Sequence, residues 1–492
     1  MNGGLPGDLQ ELFDEAVALS QEGRLVEATE LLERVIARAP SHIESWHHLG
    51  EALFAQRRLD EAEAARRQLA RLAANSAAVH CNLGAVLKAR GKSADAIAAF
   101  RRALALDPRH FEAQFNLGLT LMDGGALDEA VAELDRALDL RRDFAPAHNL
   151  LGFANLRRGR FDEAVARFRD AAGVTQDHGR PVRGTAVSKA RIRHDAEQVR
   201  YLVQRGRLER RHAPYREALE RLERTALRDA GGDWQMPVTP AELGAIEPSF
   251  NRLLHVAECP HLAGGAVNPA LDVPTIEARY HAKRPELMHV DGFLKEEALR
   301  FLRQFCLEST IWKRDYPGGY LGAFLSDGFA CPLLLQIAEE LRLRFPAIFG
   351  RHQLNQAWAF KYDSVSQGLK IHADTAAVNV NFWITPDAAN LDPERGGLVV
   401  WDREPPDEWD FNEYNNENKE PAVLAFLERE GAQAVTIPYR QNRAVIFNSN
   451  LFHCTDSFNF RDDYESRRIN VTLLYGNRQD AAPRQPGAAV RG

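Results

Sequence analysis

The chain has 492 residues, a formal net charge of −7 and 45% hydrophobic residues, a composition that suits two or three soluble domains. The acidic balance argues against a nucleic-acid-binding protein, and no stretch is long and apolar enough for a membrane span. The five cysteines lie far apart without metal-site spacing, which is typical of reduced thiols. The first residues have no basic or apolar signal region, so we expect a cytoplasmic protein.

A 34-residue period runs through the first third of the chain. A Leu-Gly pair recurs four times, and an alanine preceded by an acidic residue recurs five times, at Gly50, Gly84, Gly118 and Gly152, and at Ala28, Ala62, Ala96, Ala130 and Ala164. This pattern resembles the tetratricopeptide repeat, and about five repeats are predicted from 8 to 178. The resemblance implies an all-α solenoid whose concave face binds a protein or peptide, with a ligand-free spacer as the alternative.

The two segments that follow have weaker patterns. Residues 180–229 remain helical in pattern but become basic, and we interpret them as a helical cap or connector of the solenoid. A nucleic-acid-binding stripe is the alternative, but no base-reading module accompanies it. Residues 230–285 have no clear hydrophobic period, so we interpret them as a partly ordered linker.

Residues 286–480 contain short apolar runs separated by turn residues. Several of these runs have the residue types or the two-residue period expected of strands, at 358–362, 378–384, 396–401, 443–447 and 468–475. Many short strands separated by Gly, Asn and Pro predict a closed β sandwich or barrel, for which the jelly roll is one solution. We expect the tail, 481–492, to be disordered.

One His-x-Asp pair in this region differs from the others in its context. The pattern His-x-Asp/Glu occurs four times, beginning at His42, His110, His289 and His372. The first two occupy equivalent repeat positions and the third is interpreted as a turn, whereas His372 and Asp374 lie between two predicted strands. Together with the distant His453 they form a facial triad, which leaves three positions of a six-coordinate iron open.

An arginine at the start of the last strand adds a second constraint. Arg468, Asn470 and Thr472 share one face of this strand. A guanidinium directed into a barrel without an acidic partner requires an anion, and its planar fork suits a carboxylate. Arg467 is interpreted as a surface residue and Arg461 lies in the preceding loop, so Arg468 is the preferred anion-binding residue.

The triad and the strand arginine together resemble the iron(II)- and 2-oxoglutarate-dependent dioxygenases of the double-stranded β-helix (jelly-roll) fold, most closely prolyl-hydroxylase-like members. The resemblance covers residues 286–480. It implies catalytic iron ligands and cosubstrate-binding residues, namely His372, Asp374 and His453 for Fe(II), and Arg468, Asn470, Tyr362 and Asn381 for 2-oxoglutarate. Dioxygen is then the oxidant.

The combination with the repeats implies hydroxylation of a recruited protein or peptide. Two alternatives stay open at this point. One is a small-molecule oxygenase whose repeats bind a partner, and the other is a repeat scaffold with a vestigial barrel.

Two features depart from the family pattern. The metal-ligating histidines are 81 residues apart, because an acidic insertion occupies 404–431. This insertion is either a lid over the substrate or a solvated surface excursion. In addition, Asn448 lies in the turn before His453, where an acidic residue would be more usual.

Overall fold

The computed structural model describes residues 5–177, 186–228, 233–282, 284–366, 368, 370–406, 408–415 and 419–477. The tail predicted to be disordered, 481–492, lies outside these ranges. The chain divides into two compact units, Met1–Gly159 and Arg160–Gly492. Among the helices of the described ranges, none is both long and apolar enough to traverse a lipid bilayer.

The described part of the first unit is all-helical. Its helices are α1 Gly7–Gln21, α2 Leu25–Arg38, α3 Ile43–Ala55, α4 Leu59–Leu72, α5 Ala77–Ala89, α6 Ser93–Leu106, α7 Phe111–Asp123, α8 Leu127–Leu140 and α9 Ala145–Arg157. Each helix packs on the next one along the chain, and alternate helices such as α5 and α7 also touch. Contacts between neighbouring and alternate helices are those expected of a solenoid built from helical hairpins.

The small residues of the 34-residue period lie where the helices approach most closely. A Cβ added to Gly84 would lie 2.6 Å from the Phe100 ring, and one added to Gly118 would lie 2.7 Å from the Leu134 side chain. The recurrent alanines are fully buried, as Ala96 illustrates. Larger side chains at these positions would force the helices apart, because protein interiors are close-packed.

The second unit mixes helices with short strands. Its helices are α10 Phe161–Asp177, α11 Lys189–Gln204, α12 Ala213–Arg228, α13 Pro240–Ile246, α14 Val273–Ala282, α15 Glu296–Glu308, α16 Pro332–Arg344, α17 Pro346–Phe349, α18 Phe411–Tyr414 and α19 Glu420–Arg429. Its strands are β1 Ala186–Ser188, β2 Gln235–Pro237, β3 Leu287–Val290, β4 Arg314–Tyr316, β5 Tyr320–Phe324, β6 Leu354–Tyr362, β7 Val365–Ser366, β8 Val378–Trp383, β9 Leu398–Trp401, β10 Ala434–Ile437, β11 Ala444–Asn448, β12 His453–Thr455, β13 Phe458–Asn459 and β14 Ile469–Tyr475.

Two antiparallel sheets organise this unit. The larger has seven strands in the order β3-β11-β8-β14-β6-β5-β4, and the smaller has three in the order β10-β9-β12. They share an apolar cluster, to which β8 and β11 contribute Trp383 and Phe447 while β9 and β10 contribute Val400 and Ile437. The prediction of a β-rich C-terminal region is therefore confirmed.

The structure corrects the interpretation of the connecting region. The predicted helices of 180–229 are present as α11 and α12, but α11 packs on α15 and β5 and so belongs to the second unit. The Gln198 amide donates to the carbonyl oxygens of Leu307 and Ser309 at 3.1 and 3.0 Å. The segment interpreted as a linker contains β2, α13 and α14, and buries Ile246 and Cys259.

Candidate metal centre and anion site

Three of the predicted side chains converge in the second unit. His372, Asp374 and His453 each offer a ligand atom, and these atoms lie within 4.8 Å of one another. His453 begins β12, and His372 forms an antiparallel bridge with it. Asp374 is held by its own backbone N–H, which donates to the Ser449 carbonyl at 3.1 Å. Its Oδ2 lies 3.5 Å from His453 Nε2.

Both imidazoles use the same nitrogen for a backbone contact. Nδ1 of His372 lies 3.0 Å from the Lys370 carbonyl oxygen, and Nδ1 of His453 lies 2.9 Å from the Leu451 carbonyl oxygen. A carbonyl oxygen only accepts, so Nδ1 carries the proton in each ring. In a neutral ring held in this way Nε2 is the unprotonated nitrogen, the form that binds a metal ion.

The charge states of the cluster suit metal binding. Burial, followed by the neighbouring His453, lowers the pKa of His372 to about 4, so its ring is neutral at neutral pH. Burial would raise the pKa of Asp374, but contacts with the two histidines and with Asn379 outweigh it and hold this pKa below its ordinary value. The Asn379 amide donates to Asp374 Oδ2 at 2.8 Å. At neutral pH the site therefore presents the neutral imidazole of His372 and the carboxylate of Asp374 beside His453.

The guanidinium of Arg468 is fully buried. It donates to the carbonyl oxygens of Gly396 and Gly397 at 2.7 and 3.3 Å and to Asn470 Oδ1 at 3.2 Å. Tyr362 packs against it, with the ring centroid 4.7 Å from Cζ. Among the described residues none of these acceptors is a carboxylate, and burial lowers the pKa of Arg468. A buried cation whose hydrogen-bond acceptors are all neutral is stabilised when an anion binds beside it.

The face of the large sheet that contains Arg468 has further polar atoms. Asn470 pairs with Trp383 across the sheet, and Thr472 pairs with Asn381. The Asn381 amide donates to Thr472 Oγ1 at 3.1 Å. In the part of the chain that is described, Asn381 Oδ1, Asn379 Oδ1 and Trp383 Nε1 are buried without a hydrogen-bond partner. Buried polar atoms of this kind can be satisfied by a water molecule, an ion or a polar ligand.

The structure corrects the assignment of Arg467. This side chain is buried rather than exposed, and its guanidinium forms ion pairs with Glu197, at 2.7 Å, and with Asp363. Its charge is therefore neutralised within the protein, unlike that of Arg468. Arg461 is exposed, as expected for a loop residue.

The remaining His-x-Asp/Glu pairs have structural roles. His42 and His110 cap the N-termini of α3 and α7 through Nδ1, which accepts a backbone N–H three residues later. Asp291, which follows β3, accepts hydrogen bonds from Arg443 at 2.5 and 2.9 Å. The first two pairs occur at equivalent positions of the repeats, as the sequence predicts, and their histidines serve as helix caps.

The insertion contains α18 and α19 in its described part. Tyr414, Val423 and Phe426 of the insertion form one apolar cluster with Ile371 and with Phe452, the residue before His453. A purely solvated excursion is thereby excluded. Within this region Asn448 donates to Glu404 Oε1 at 3.0 Å, so the turn before His453 also contacts the insertion.

Three contributions to the site were not predicted from the sequence. They are the carbonyl oxygens of Gly396 and Gly397 at Arg468, the hydrogen bond from Asn379 to Asp374, and the hydrogen bonds between Asn415 and the backbone of Ala373. Alternation along β8 places Asn379 and Asn381 on one face, but it does not indicate that Asn379 reaches Asp374. The other two depend on loops that have no periodic pattern.

Comparison with known proteins identifies the first third of the chain. Family models of the tetratricopeptide repeat match residues 19–85, 81–146 and 129–180. Residues 19–180 are tetratricopeptide repeats. The prediction of N-terminal tetratricopeptide repeats is thus confirmed from residue 19 onward, and such repeats generally bind proteins or peptides.

Several solved structures resemble the chain over about a third of its length. MamA is 22% identical over 36% of this chain and 96% of its own, with a TM-score of 0.34. A MamA from Desulfovibrio magneticus RS-1 is 19% identical over 36% and 99%, with a TM-score of 0.35. YrrB, described as a TPR protein with an unusual peptide-binding site, is 21% identical over 34% and 86%, with a TM-score of 0.31. No curated protein matches the chain.

Proposed function

We propose that residues 286–480 form a jelly-roll dioxygenase dependent on Fe(II) and 2-oxoglutarate, and that the tetratricopeptide repeats recruit the protein or peptide that it hydroxylates. The convergence of His372, Asp374 and His453, with both Nδ1 atoms engaged by carbonyl oxygens, carries this proposal. Two imidazoles and one carboxylate are the ligand set of non-haem iron(II) oxygenases, and they leave coordination positions open.

The strand arrangement supports the jelly-roll assignment. A seven-stranded and a three-stranded antiparallel sheet share one apolar cluster, as the two sheets of a jelly roll do. The triad spans two segments, since His372 and Asp374 precede β8 whereas His453 begins β12. A double-sheet fold is suited to bringing such segments together.

The surroundings of Arg468 fit a dicarboxylate cosubstrate. Its guanidinium is buried, its acceptors among the described residues are neutral oxygens, and it is surrounded by the rings of Tyr362, Trp383 and Phe458. Arg468 would bind the distal carboxylate of 2-oxoglutarate, while Asn470 fixes the guanidinium. The unpartnered oxygens and indole N–H on β8 provide further polar contacts in the same region.

When both are bound, iron(II) and 2-oxoglutarate supply the oxidising chemistry, in which dioxygen converts 2-oxoglutarate to succinate and carbon dioxide and places its other oxygen atom in a substrate C–H bond. The side chains of the protein provide orientation. The Lys370 and Leu451 carbonyl oxygens fix the two imidazole rings, and the Asn379 amide fixes the Asp374 carboxylate. The buried setting of Arg468 excludes water and strengthens its hydrogen bonds.

The proposal is tested by anaerobic titration of the full chain with Fe(II) and then with 2-oxoglutarate, read as weak visible charge-transfer absorption. We expect absorption from the wild type, none from Asp374→Ala, and a need for about ten- to a hundredfold more cosubstrate in Arg468→Ala. Glu112→Ala, in another His-x-Glu pair, and Arg461→Ala are matched controls that should resemble the wild type. Absence of the absorption from the metal-loaded wild type would overturn the proposal.

The nature of the substrate requires a separate test. Cell extract is incubated with the wild type or with Asp374→Ala, and peptides that gain one oxygen atom are identified by mass spectrometry. We expect a small set of proteins oxidised only by the wild type, each of which also binds the repeats. Turnover confined to small molecules would reject the protein substrate while leaving the metal centre intact.

A further inference from the structure

We infer that Asn415 is a positioning residue for the metal ligands, because its side-chain amide pairs with the backbone of Ala373, which lies between His372 and Asp374. The inference rests on the proposed metal centre and assigns to it a residue of the insertion 404–431.

The contact between Asn415 and Ala373 has two hydrogen bonds. The Ala373 backbone N–H donates to Asn415 Oδ1 at 3.2 Å, and Asn415 Nδ2 donates to the Ala373 carbonyl oxygen at 3.0 Å. A side-chain amide that accepts from and donates to one residue reproduces the hydrogen bonding of a neighbouring strand. Ala373 is buried, so loss of this partner would leave its polar backbone groups unpaired away from water.

The opposite edge of the same segment faces the second histidine. The backbone of His372 pairs with that of His453 in both directions, and the Asp374 N–H donates to Ser449. Successive residues of an extended chain direct their backbone groups to opposite edges. The segment that carries two metal ligands is therefore held on one edge by residues around β12 and on the other edge by Asn415.

A second residue of the insertion extends this pairing. Glu420 Oε1 accepts the backbone N–H of Ile371 at 3.2 Å. In return, Lys370 Nζ donates to the backbone carbonyl oxygen of Asn415 at 2.7 Å. Lys370, Ile371 and Ala373 thus each form a hydrogen bond with the insertion. The side chains of Asn415 and Glu420 thereby satisfy backbone groups on this edge, as a neighbouring strand would.

Apolar packing keeps this pairing away from water. Val423 is fully buried and Tyr414 nearly so, in one cluster with Ile371 and Phe452. The Tyr414 and Phe452 rings lie 5.8 Å apart in an edge-to-face arrangement. Hydrogen bonds in such surroundings are stronger than in water, and they restrict the orientation of the peptide that joins the ligands. Partners of this kind typically change metal affinity ten- to a hundredfold when they are removed.

The experiment compares full-length wild type, Asn415→Ala and Asn415→Asp with Leu424→Ala as the matched control. Leu424 is exposed on α19 of the same insertion, so its substitution leaves the backbone of Ala373 paired. Co(II) is the probe, and its visible absorption reports both affinity and ligand geometry. Hydrogen exchange of the segment 370–374 is measured in the metal-free protein.

We expect Asn415→Ala to weaken Co(II) binding at least about tenfold, to alter the absorption bands, and to accelerate exchange at Ala373. Asn415→Asp keeps an acceptor for the Ala373 N–H but loses the donor to its carbonyl oxygen, so it should be intermediate. Leu424→Ala should match the wild type in all three measurements.

Two failures can be told apart. If wild-type protein does not bind Co(II), the metal centre itself is rejected, and the inference is rejected with it. If the wild type binds but Asn415→Ala and Asn415→Asp keep its affinity, bands and exchange rate, only the inference about Asn415 is rejected. Hydrogen exchange remains informative if the alanine variant is unstable, because the aspartate variant retains one of the two hydrogen bonds.

Discussion

His372 and His453 are joined through their backbones as well as being adjacent through their rings. The His372 N–H donates to the His453 carbonyl oxygen at 3.0 Å, and the reverse bond measures 2.8 Å. The ring centroids lie 4.3 Å apart with an interplanar angle of 52°. Because the backbone fixes both residues, the two imidazoles are already held together as the proposed metal centre requires.

This preorganisation predicts that a divalent metal stabilises the folded chain. At a free Co(II) concentration of about 100 times Kd, binding to the folded state alone contributes about 2.7 kcal/mol to the free energy of unfolding. Thermal denaturation with and without Co(II) measures the effect. His453→Ala should abolish the increase in Tm and Glu112→Ala should preserve it. An equal increase in His453→Ala would place the stabilising ion elsewhere.

Arg468→Lys tests whether the planar guanidinium is required. Lysine keeps the charge but lacks the fork that contacts Gly396, Gly397 and Asn470 together. We expect the Kd for 2-oxoglutarate to rise at least about tenfold, with Co(II) affinity unchanged, since the metal ligands are intact. Isothermal titration of the metal-loaded protein with 2-oxoglutarate measures the first quantity, and titration of the metal-free protein with Co(II) measures the second. Arg461→Lys is the control, and an unchanged Kd in Arg468→Lys would assign the carboxylate to another residue.

Local patterns explain which parts of the molecule could be predicted. Gly84 recurs with the period of 34 because direct helix contact constrains it, and every repeat imposes the same constraint. His372 and Asp374 are close in sequence, and the alternation of a strand distinguishes Arg468 from Arg467. These constraints act between residues a few positions apart or at a fixed repeat distance. They can therefore be recognised in a single sequence.

The features that could not be predicted depend on partners that are distant in the sequence. Arg467 is buried because Glu197, 270 residues earlier, neutralises it, and no pattern near Arg467 indicates that partner. Asn415 lies 42 residues after Ala373, in a segment without hydrophobic period. The sequence therefore leaves open whether the insertion is a lid or a solvated surface excursion, whereas in the structure its apolar side chains pack beside the proposed ligands.

Gly84→Ala tests the packing of the repeats. The added Cβ would lie 2.6 Å from the Phe100 ring, which is fully buried and has little room to move. Overpacking of this kind costs about 1–3 kcal/mol in the free energy of unfolding. Urea denaturation followed by circular dichroism measures the loss. Gly84→Ala combined with Phe100→Leu should recover part of it, because the smaller side chain leaves room for the methyl group.

Gly244→Ala is the matched control for this substitution. Gly244 lies in α13, and nothing approaches its Cβ position within 4 Å. Alanine in a helix reduces the backbone entropy of the unfolded chain, so this variant should be neutral or more stable by up to about 1 kcal/mol. If both glycine variants lose stability equally, the cause lies in the substitution itself and the role assigned to Phe100 is rejected.

Glu63 makes the stability of the repeats dependent on pH. Burial alone would raise its pKa, but hydrogen bonds from Lys92, Arg67 and Arg90 outweigh burial and lower the pKa from 4.5 to about 2. A carboxylate with a depressed folded pKa binds its proton more readily in the unfolded chain. Its contribution is therefore complete above about pH 4.5, declines as the pH falls, and is lost as the pH passes through the folded value of about 2.

Glu63→Gln should consequently destabilise the protein at neutral pH by about 2 kcal/mol, after allowance for the partly exposed cations around it. The gap between wild type and variant should narrow steadily from pH 4.5 towards pH 2. Urea denaturation at a series of pH values measures that gap. Glu30→Gln, at an exposed position of α2, should show no gap at any pH. Protonation removes the charge of Glu63 but leaves its shape unchanged. If the difference in the free energy of unfolding between wild type and Glu63→Gln stays constant down to pH 2, side-chain packing rather than the charge of Glu63 stabilises the repeats.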